Sequence, residues 1–130
     1  MHLVIHFESR LFDISDEPEN SINPIRGISL LLWLRSRVHA HLNMSAPEPE
    51  DWGWYSNVEW QGRNYMISAC AHESPDGNHE WILQIEKSRS FKERLLGKEK
   101  LSPEDPCYSY IYTLVAEEPS FTEIAAVCGP

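Results

Sequence analysis

Two turns constrain the fold of this chain more tightly than any other feature of its sequence. Between residues 52 and 87 the side chains alternate with the period of β-strands, interrupted by Trp60-Gln61-Gly62-Arg63 and by Ser74-Pro75-Asp76-Gly77-Asn78. Gly and Asp-Gly reverse a chain tightly because they reach backbone angles closed to most residues, and Pro presets its own. A two-residue turn around Gly62 pairs odd-numbered with even-numbered positions, setting Trp54, Val58 and Trp60 beside Tyr65, Ile67, Ala69 and Ala71. Pairing Glu73 with His79 across the second turn sets Ile67, Ala69 and Ala71 beside Trp81, Leu83 and Ile85. Both turns select the same apolar face, which predicts an antiparallel three-strand meander. The opposite face then carries Tyr55, Asn57, Glu59, Met66, Ser68, Cys70, His72, Glu80, Ile82, Gln84 and Glu86, a mixed, polar and acidic set.

An apolar sheet face of this width needs a cover. Ile28, Leu31, Leu32, Val38 and Leu42 recur at helical spacing, and Pro24 suits a first turn capped by Ser21 or Asn23. The pattern predicts a helix over 24–42 packed on the odd face of the meander. Before it, Leu3, Ile5 and Phe7 alternate against His2, Val4 and His6, the mark of a strand over 2–8. Asp13, Asp16, Glu17, Glu19 and Asn20 read as a solvated acidic loop. Ser45 to Asp51, with two prolines and three acids, reads as a second acidic loop with no regular element. After the meander, Ser90 caps a short helix over 91–96 that Gly97 stops. Ser102-Pro103-Glu104-Asp105 opens a helix that Pro119 ends, and 121–127 is a last strand. The expected architecture is a single α+β domain over 1–130, a two-layer antiparallel meander sheet with helices packed on one face.

At 130 residues and 42% hydrophobic, the chain can bury about two-thirds of its unfolded surface around one core, without disulfides or metal. Cys70, Cys107 and Cys128 are odd in number and lack a Cys-x-x-Cys pair, which points to a reduced interior with each thiol as a small core filler. Eleven Lys and Arg against twenty Asp and Glu leave a net charge of −9, the wrong sign for gripping a phosphate backbone. Against that balance, Lys87 to Lys100 holds six basic residues and two acids. The longest apolar run, Ile28 to Leu34, contains Ser29 and falls far short of the about 20 residues that span a bilayer. The opening MHLVIHFESR has no export leader, so the expected location is cytoplasmic, with neither membrane nor nucleic acid as partner.

Residues capable of chemistry do not converge. His39 and His41, two apart on a helix, point about 200° apart. His79 has the opposite strand parity to Cys70 and His72, so no metal site is predicted. Glu59, Glu80 and Glu86 share a strand face, but acids on a solvated face ordinarily serve solubility. There is no Gly-x-Ser-x-Gly, phosphate loop, His-Glu-x-x-His or dinucleotide fingerprint. The expectation is a non-enzymatic protein without cofactor.

The most distinctive stretch is Glu50-Asp51-Trp52-Gly53-Trp54-Tyr55. Together with 58–65 and 80–97 it resembles a group of small bacterial proteins carrying a Pro-Glu-Asp-Trp-Gly-Trp block, a hairpin and a basic helix, over about half of the chain. In class these are similar to immunity proteins of polymorphic-toxin and contact-dependent competition systems. The resemblance implies a non-catalytic, one-to-one inhibitor of a protein toxin and supplies no catalytic residues. Many such toxins act on nucleic acids or nucleotides and are basic at their active sites, which an acidic partner is suited to cover. The expected contact combines the acidic loops (Asp13, Asp16, Glu17, Glu19, Glu48, Glu50, Asp51) with Trp52, Tyr55, Asn57, Glu59 and Glu80. The acids would steer association and the aromatics anchor it, with Lys87 to Lys100 outside the contact. The alternative expectation is a small ligand-binding or regulatory domain that uses the Trp and Tyr cluster as a pocket.

Overall fold

The computed structural model describes residues 2–38 and 40–129, with the backbone alone for His2 and Gly129. The strands are β1 (His2–Ser9), β2 (Asn43–Met44), β3 (Glu48–Glu50), β4 (Gly53–Trp60), β5 (Arg63–His72), β6 (His79–Lys87) and β7 (Phe121–Gly129). They form one antiparallel sheet in the order β2-β4-β5-β6-β1-β7, with β3 also paired to β4. The meander has the expected register: Trp54 opposes Ala69, Val58 opposes Tyr65, and Ala69 opposes Leu83. Gln61 and Gly62, at φ 47° and 82°, make the two-residue turn, whose paired positive angles match the twist of the flanking strands.

β1 inserts between β6 and β7, adding Leu3, Ile5 and Phe7 to the apolar face. Two helices cover that face: α1 (Ile28–Val38) and α3 (Pro106–Glu117). Ile28, Leu30, Leu31, Leu34 and Val38 of α1, and Cys107, Tyr108, Ile111 and Val115 of α3, are buried in one core with Trp81, Leu83 and Ile85. Burying each large side chain there contributes about 1.5–3 kcal/mol. Aromatic rings close the far end: Phe7 stacks on Phe121 at 4.2 Å, and Phe12 meets Trp81 edge-on at 4.9 Å. A third, short helix, α2 (Phe91–Leu95), lies outside this core. No helix among the described residues is long and apolar enough to cross a membrane.

Four boundaries differ from expectation, each for a local reason. The first helix starts at Ile28, because the Arg26 carbonyl accepts Ala71 N–H at 2.8 Å and keeps the preceding chain extended beside β5. It ends at Val38, although Leu42 beyond it still packs in the core; Leu32, expected on the buried stripe, is exposed, and Leu30 and Leu34 take its place. The 45–51 segment forms the three-residue strand β3, where Pro49 is tolerated because only one side of an edge strand is paired. The helix after Ser102 begins at Pro106 behind an Asp105 cap, which accepts from Cys107 and Tyr108 N–H.

Two substitutions test this register. Leu83 has no exposed surface and sits between Ile5 and Ala69, so Leu83→Asp is expected to cost more than about 4 kcal/mol and abolish cooperative thermal unfolding. Retention of the wild-type melting temperature would contradict the arrangement. A Cβ at Gly62 meets nothing within 4 Å, so Gly62→Val pays only for its backbone angle, a loss of about 1–2 kcal/mol in denaturant titration.

Candidate functional site

Among the described residues, no helix covers the sheet face opposite α1 and α3. On its strand positions stand Glu8, Glu48, Glu50, Glu59, Glu80 and Glu86, and no Lys or Arg. Within this acidic frame is an open groove of about 420 Å³, lined by Trp52, Met66, Cys70, Ile82, Gln84 and Glu86. The two tryptophans of the distinctive segment divide between the two sides of the sheet. Trp54 is buried in the core and its indole N–H donates to the Ile25 carbonyl at 3.1 Å. Trp52, in the turn between β3 and β4, is 49% exposed and walls the groove.

Close backbone packing brings Trp52 to this position. A Cβ on Gly53 would lie 2.5 Å from the Ala69 carbonyl oxygen and 3.2 Å from Cys70 Cβ, so only glycine lets the chain pass this close to β5. Gly27 approaches the same carbonyl as closely from the segment leading into α1. Next along β4, Tyr55 is half-buried, and its hydroxyl donates to Glu48 across the β3–β4 pair at 3.0 Å. That bond, reinforced by the charges of Glu48 and Glu50, raises the Tyr55 phenol above its ordinary pKa. Asn57 and Glu59 follow on β4, both exposed, and Glu80 stands exposed on β6, 3.8 Å from His6 Nδ1.

The expected contact residues therefore fall into three groups. Glu48, Glu50, Trp52, Tyr55, Asn57, Glu59 and Glu80 belong to or border the open face, with Asp51 at its rim. Asp13, Asp16 and Glu19 are exposed on the 10–27 loop, anchored by Phe12 and Ile14 packing into the helix-side core. They do not share the strand face. Glu17 lies in that loop but is buried, contrary to its expected solvated position: its two carboxylate oxygens accept from Gly27 N–H at 3.0 Å and Ser29 N–H at 2.9 Å. It caps α1 in place of Ser21 or Asn23 and satisfies backbone donors that would otherwise be orphaned at the helix start. Asn20 and Asn23 instead bind the two loops together, donating to the carbonyls of Glu50, Gly53 and Asp51.

A charged cluster on the helix side was not apparent from sequence. Asp105, buried at the start of α3, accepts Tyr65 OH at 2.9 Å, pairs with Lys87 Nζ at 3.0 Å and caps the helix. Burial, followed by the hydrogen bond to Asp105, pushes the Tyr65 phenol well above its usual range. Beside it, Arg63 grips both Glu93 oxygens at 2.8 Å and Glu99 at 3.1 Å; the Arg63 bond and the Ser90 N–H lower the Glu93 carboxyl to about 2. These partners are 18 to 40 residues apart in the chain, so no local spacing announces them. Their polar groups bond to one another, which suits them to join β5, β6, α2 and α3 rather than to act on a substrate.

Cys107 is in the core, where burial pushes its thiol up to about 12. Cys70 is half-buried in the groove, and Cys128 is exposed, so the core-filler expectation holds for Cys107 alone. His79 is buried and its Nδ1 accepts Ser74 N–H at 2.9 Å, while His72 is exposed; His39 lies outside the described residues. No group of three or more His, Cys, Asp or Glu among the described residues is arranged to hold a metal ion. A depression of about 450 Å³ on the helix side, between α1 and β2, is lined by Leu32, Val38, Met44 and Arg35, whose Nε donates to the Met44 carbonyl. It lacks both the aromatic wall and the carboxylates of the sheet face. Comparison with protein-family models, with curated proteins and with solved structures finds no match to the chain.

Glu17 separates a structural acid from a steering one. Glu17→Ala is expected to lower stability by about 1–2 kcal/mol and to raise amide exchange at Gly27 and Ser29, whereas Glu19→Ala leaves both unchanged. Equal melting temperatures for the two variants would contradict the capping role.

Proposed function

We propose that this protein is a non-catalytic, immunity-type factor that binds a basic bacterial toxin protein with its open sheet face and blocks it. The observation that carries the reading is the charge frame of that face: six glutamates without a cation, around an apolar groove walled by Trp52. Such a surface divides the work of binding. Carboxylates on the rim raise the rate of encounter with a basic partner, and desolvated aromatics at the centre slow its escape. Tyr55 and Trp52 are the anchors in this reading, with Asn57, Glu59 and Glu80 around them. Glu50 and Asp51 extend the negative field at one end, and Asp13, Asp16 and Glu19 extend it from the neighbouring loop. Glu17 contributes only through α1.

A second reading rests on the groove itself, whose volume of about 420 Å³ lies within the range typical of small-molecule sites. In that reading the protein is a ligand-binding or regulatory domain, and Trp52 stacks on a small planar or apolar ligand.

Co-expression with the product of a neighbouring gene that is toxic to a sensitive host decides between them. Protection of growth and a one-to-one complex on gel filtration are expected. Glu59→Lys with Glu80→Lys should slow association about tenfold at low salt, and Trp52→Ala or Tyr55→Ala should speed dissociation about tenfold or more. Failure to protect, with no complex formed, removes the immunity reading. A reproducible thermal shift with a small molecule, lost in Trp52→Ala, would then favour the second.

A further inference from the structure

We propose that the open sheet face also receives the α2 segment of a second copy of this chain, giving a weak, salt-sensitive self-association. α2 has no buried residue. Phe91 is 81% exposed, Leu95 73% and Leu96 53%, and Phe91 and Leu95 lie one helical turn apart on the same side. Exposure here does not reflect a loose segment. Ser90 and Glu93 form a reciprocal capping box, Arg63 holds both Glu93 oxygens, and Lys98 N–H closes the end on the Glu93 carbonyl at 2.8 Å. The chain thus spends a bidentate ion pair and a complete cap on presenting three large apolar side chains to water. A knob already held in shape loses little further freedom on docking.

The charges around the knob define what it fits. Lys92, Arg94, Lys98 and Lys100 are all exposed, and none forms an ion pair among the described residues. A complementary surface is an apolar recess framed by carboxylates, and the open face of this same protein has that chemistry, with Trp52, Met66 and Ile82 inside a frame of glutamates. Packing α2 against α2 would set four cations against four. An anionic membrane is disfavoured by the net charge of −9 on the whole chain. Exchange of α2 onto the partner's sheet face brings opposite charges together twice in a two-fold pair. With three apolar side chains per contact, the interface is small and belongs to the transient class. The inference does not depend on the toxin reading, but it predicts that self-association and toxin binding compete for one face.

Sedimentation velocity on the full chain under reducing conditions, from about 5 μM to about 1 mM and at about 0.05 M and 0.5 M salt, tests it. The weight-average mass should rise towards that of a dimer at low salt, and the association constant should fall at least about tenfold at high salt. Phe91→Glu, at a position without folding contacts, should keep the wild-type melting temperature and remain monomeric. Glu59→Lys with Glu80→Lys should also remain monomeric, and mixing it with Phe91→Glu should restore association, because each variant keeps the surface the other has lost. A monomer at every concentration, or association unchanged by Phe91→Glu, overturns the proposal. Phe91-dependent capture on phosphatidylserine vesicles without self-association also overturns it and assigns α2 to a lipid surface. Phe91→Glu lies outside the toxin-contact residues and should leave toxin binding intact, so failure of self-association and failure of the toxin reading remain distinguishable.

Discussion

An antiparallel sheet with one apolar face and one polar face is stable only if the apolar side is covered, and this chain has just enough helix to cover it once. Ile5, Ile67, Trp81, Leu83 and Ile85 form the floor, and α1 and α3 form the lid. Every other arrangement in the molecule adjusts to that allocation. The loops reach around the ends of the sheet, the charged cluster ties the late helices to its strands, and the second face is left to water. The open face is therefore what remains after a limited supply of apolar side chains has been used on the other side. Because hydration rather than packing governs its side chains, it tolerates a concentration of like charge that a core would not.

Two buried carboxylates hold the lid in place. Glu17 reaches α1 from a loop before it, and Asp105 sits directly ahead of α3 while also engaging β5 and β6 through Tyr65 and Lys87. Both place negative charge where helix N–H groups lack partners, the position at which a carboxylate is most useful. Some of the acidity that looks like a uniform property of the chain is thus internal wiring, and only the remainder is available to a partner. Counting all twenty Asp and Glu as surface therefore overstates the acidity that a partner meets.

What the sequence made legible follows the range of the interactions involved. The meander register was readable because two turns a few residues long fix it, and each could be checked against the other. The short helix at 91–95 was readable because its cap and stop are adjacent to it. The start of α1 was not, since its cap lies ten residues upstream, and β3 was not, since Pro49 argues against a strand until its edge position is known. For the candidate site, strand parity brought Tyr55, Asn57, Glu59 and Glu80 to one face. It gave no means of separating Glu17 from its exposed neighbours or of pairing Arg63 with Glu93. Trp52 and Trp54, two apart, fell on different sides because Trp52 belongs to a turn and not to the strand.

The placement of β1 has a consequence for how the chain matures. β1 pairs with β6 on one side and β7 on the other, so its two neighbours are made some 70 and 112 residues after it. During synthesis Leu3, Ile5 and Phe7 emerge with no partner strand, while β4, β5 and β6 have one another within a hairpin's reach. β4, β5 and β6 can thus pair with one another before they recruit β1, and closing the chain over that distance is the entropically costlier step. Until it happens an apolar strand edge stands open, the state in which a nascent chain is most exposed to mispairing and chaperone capture.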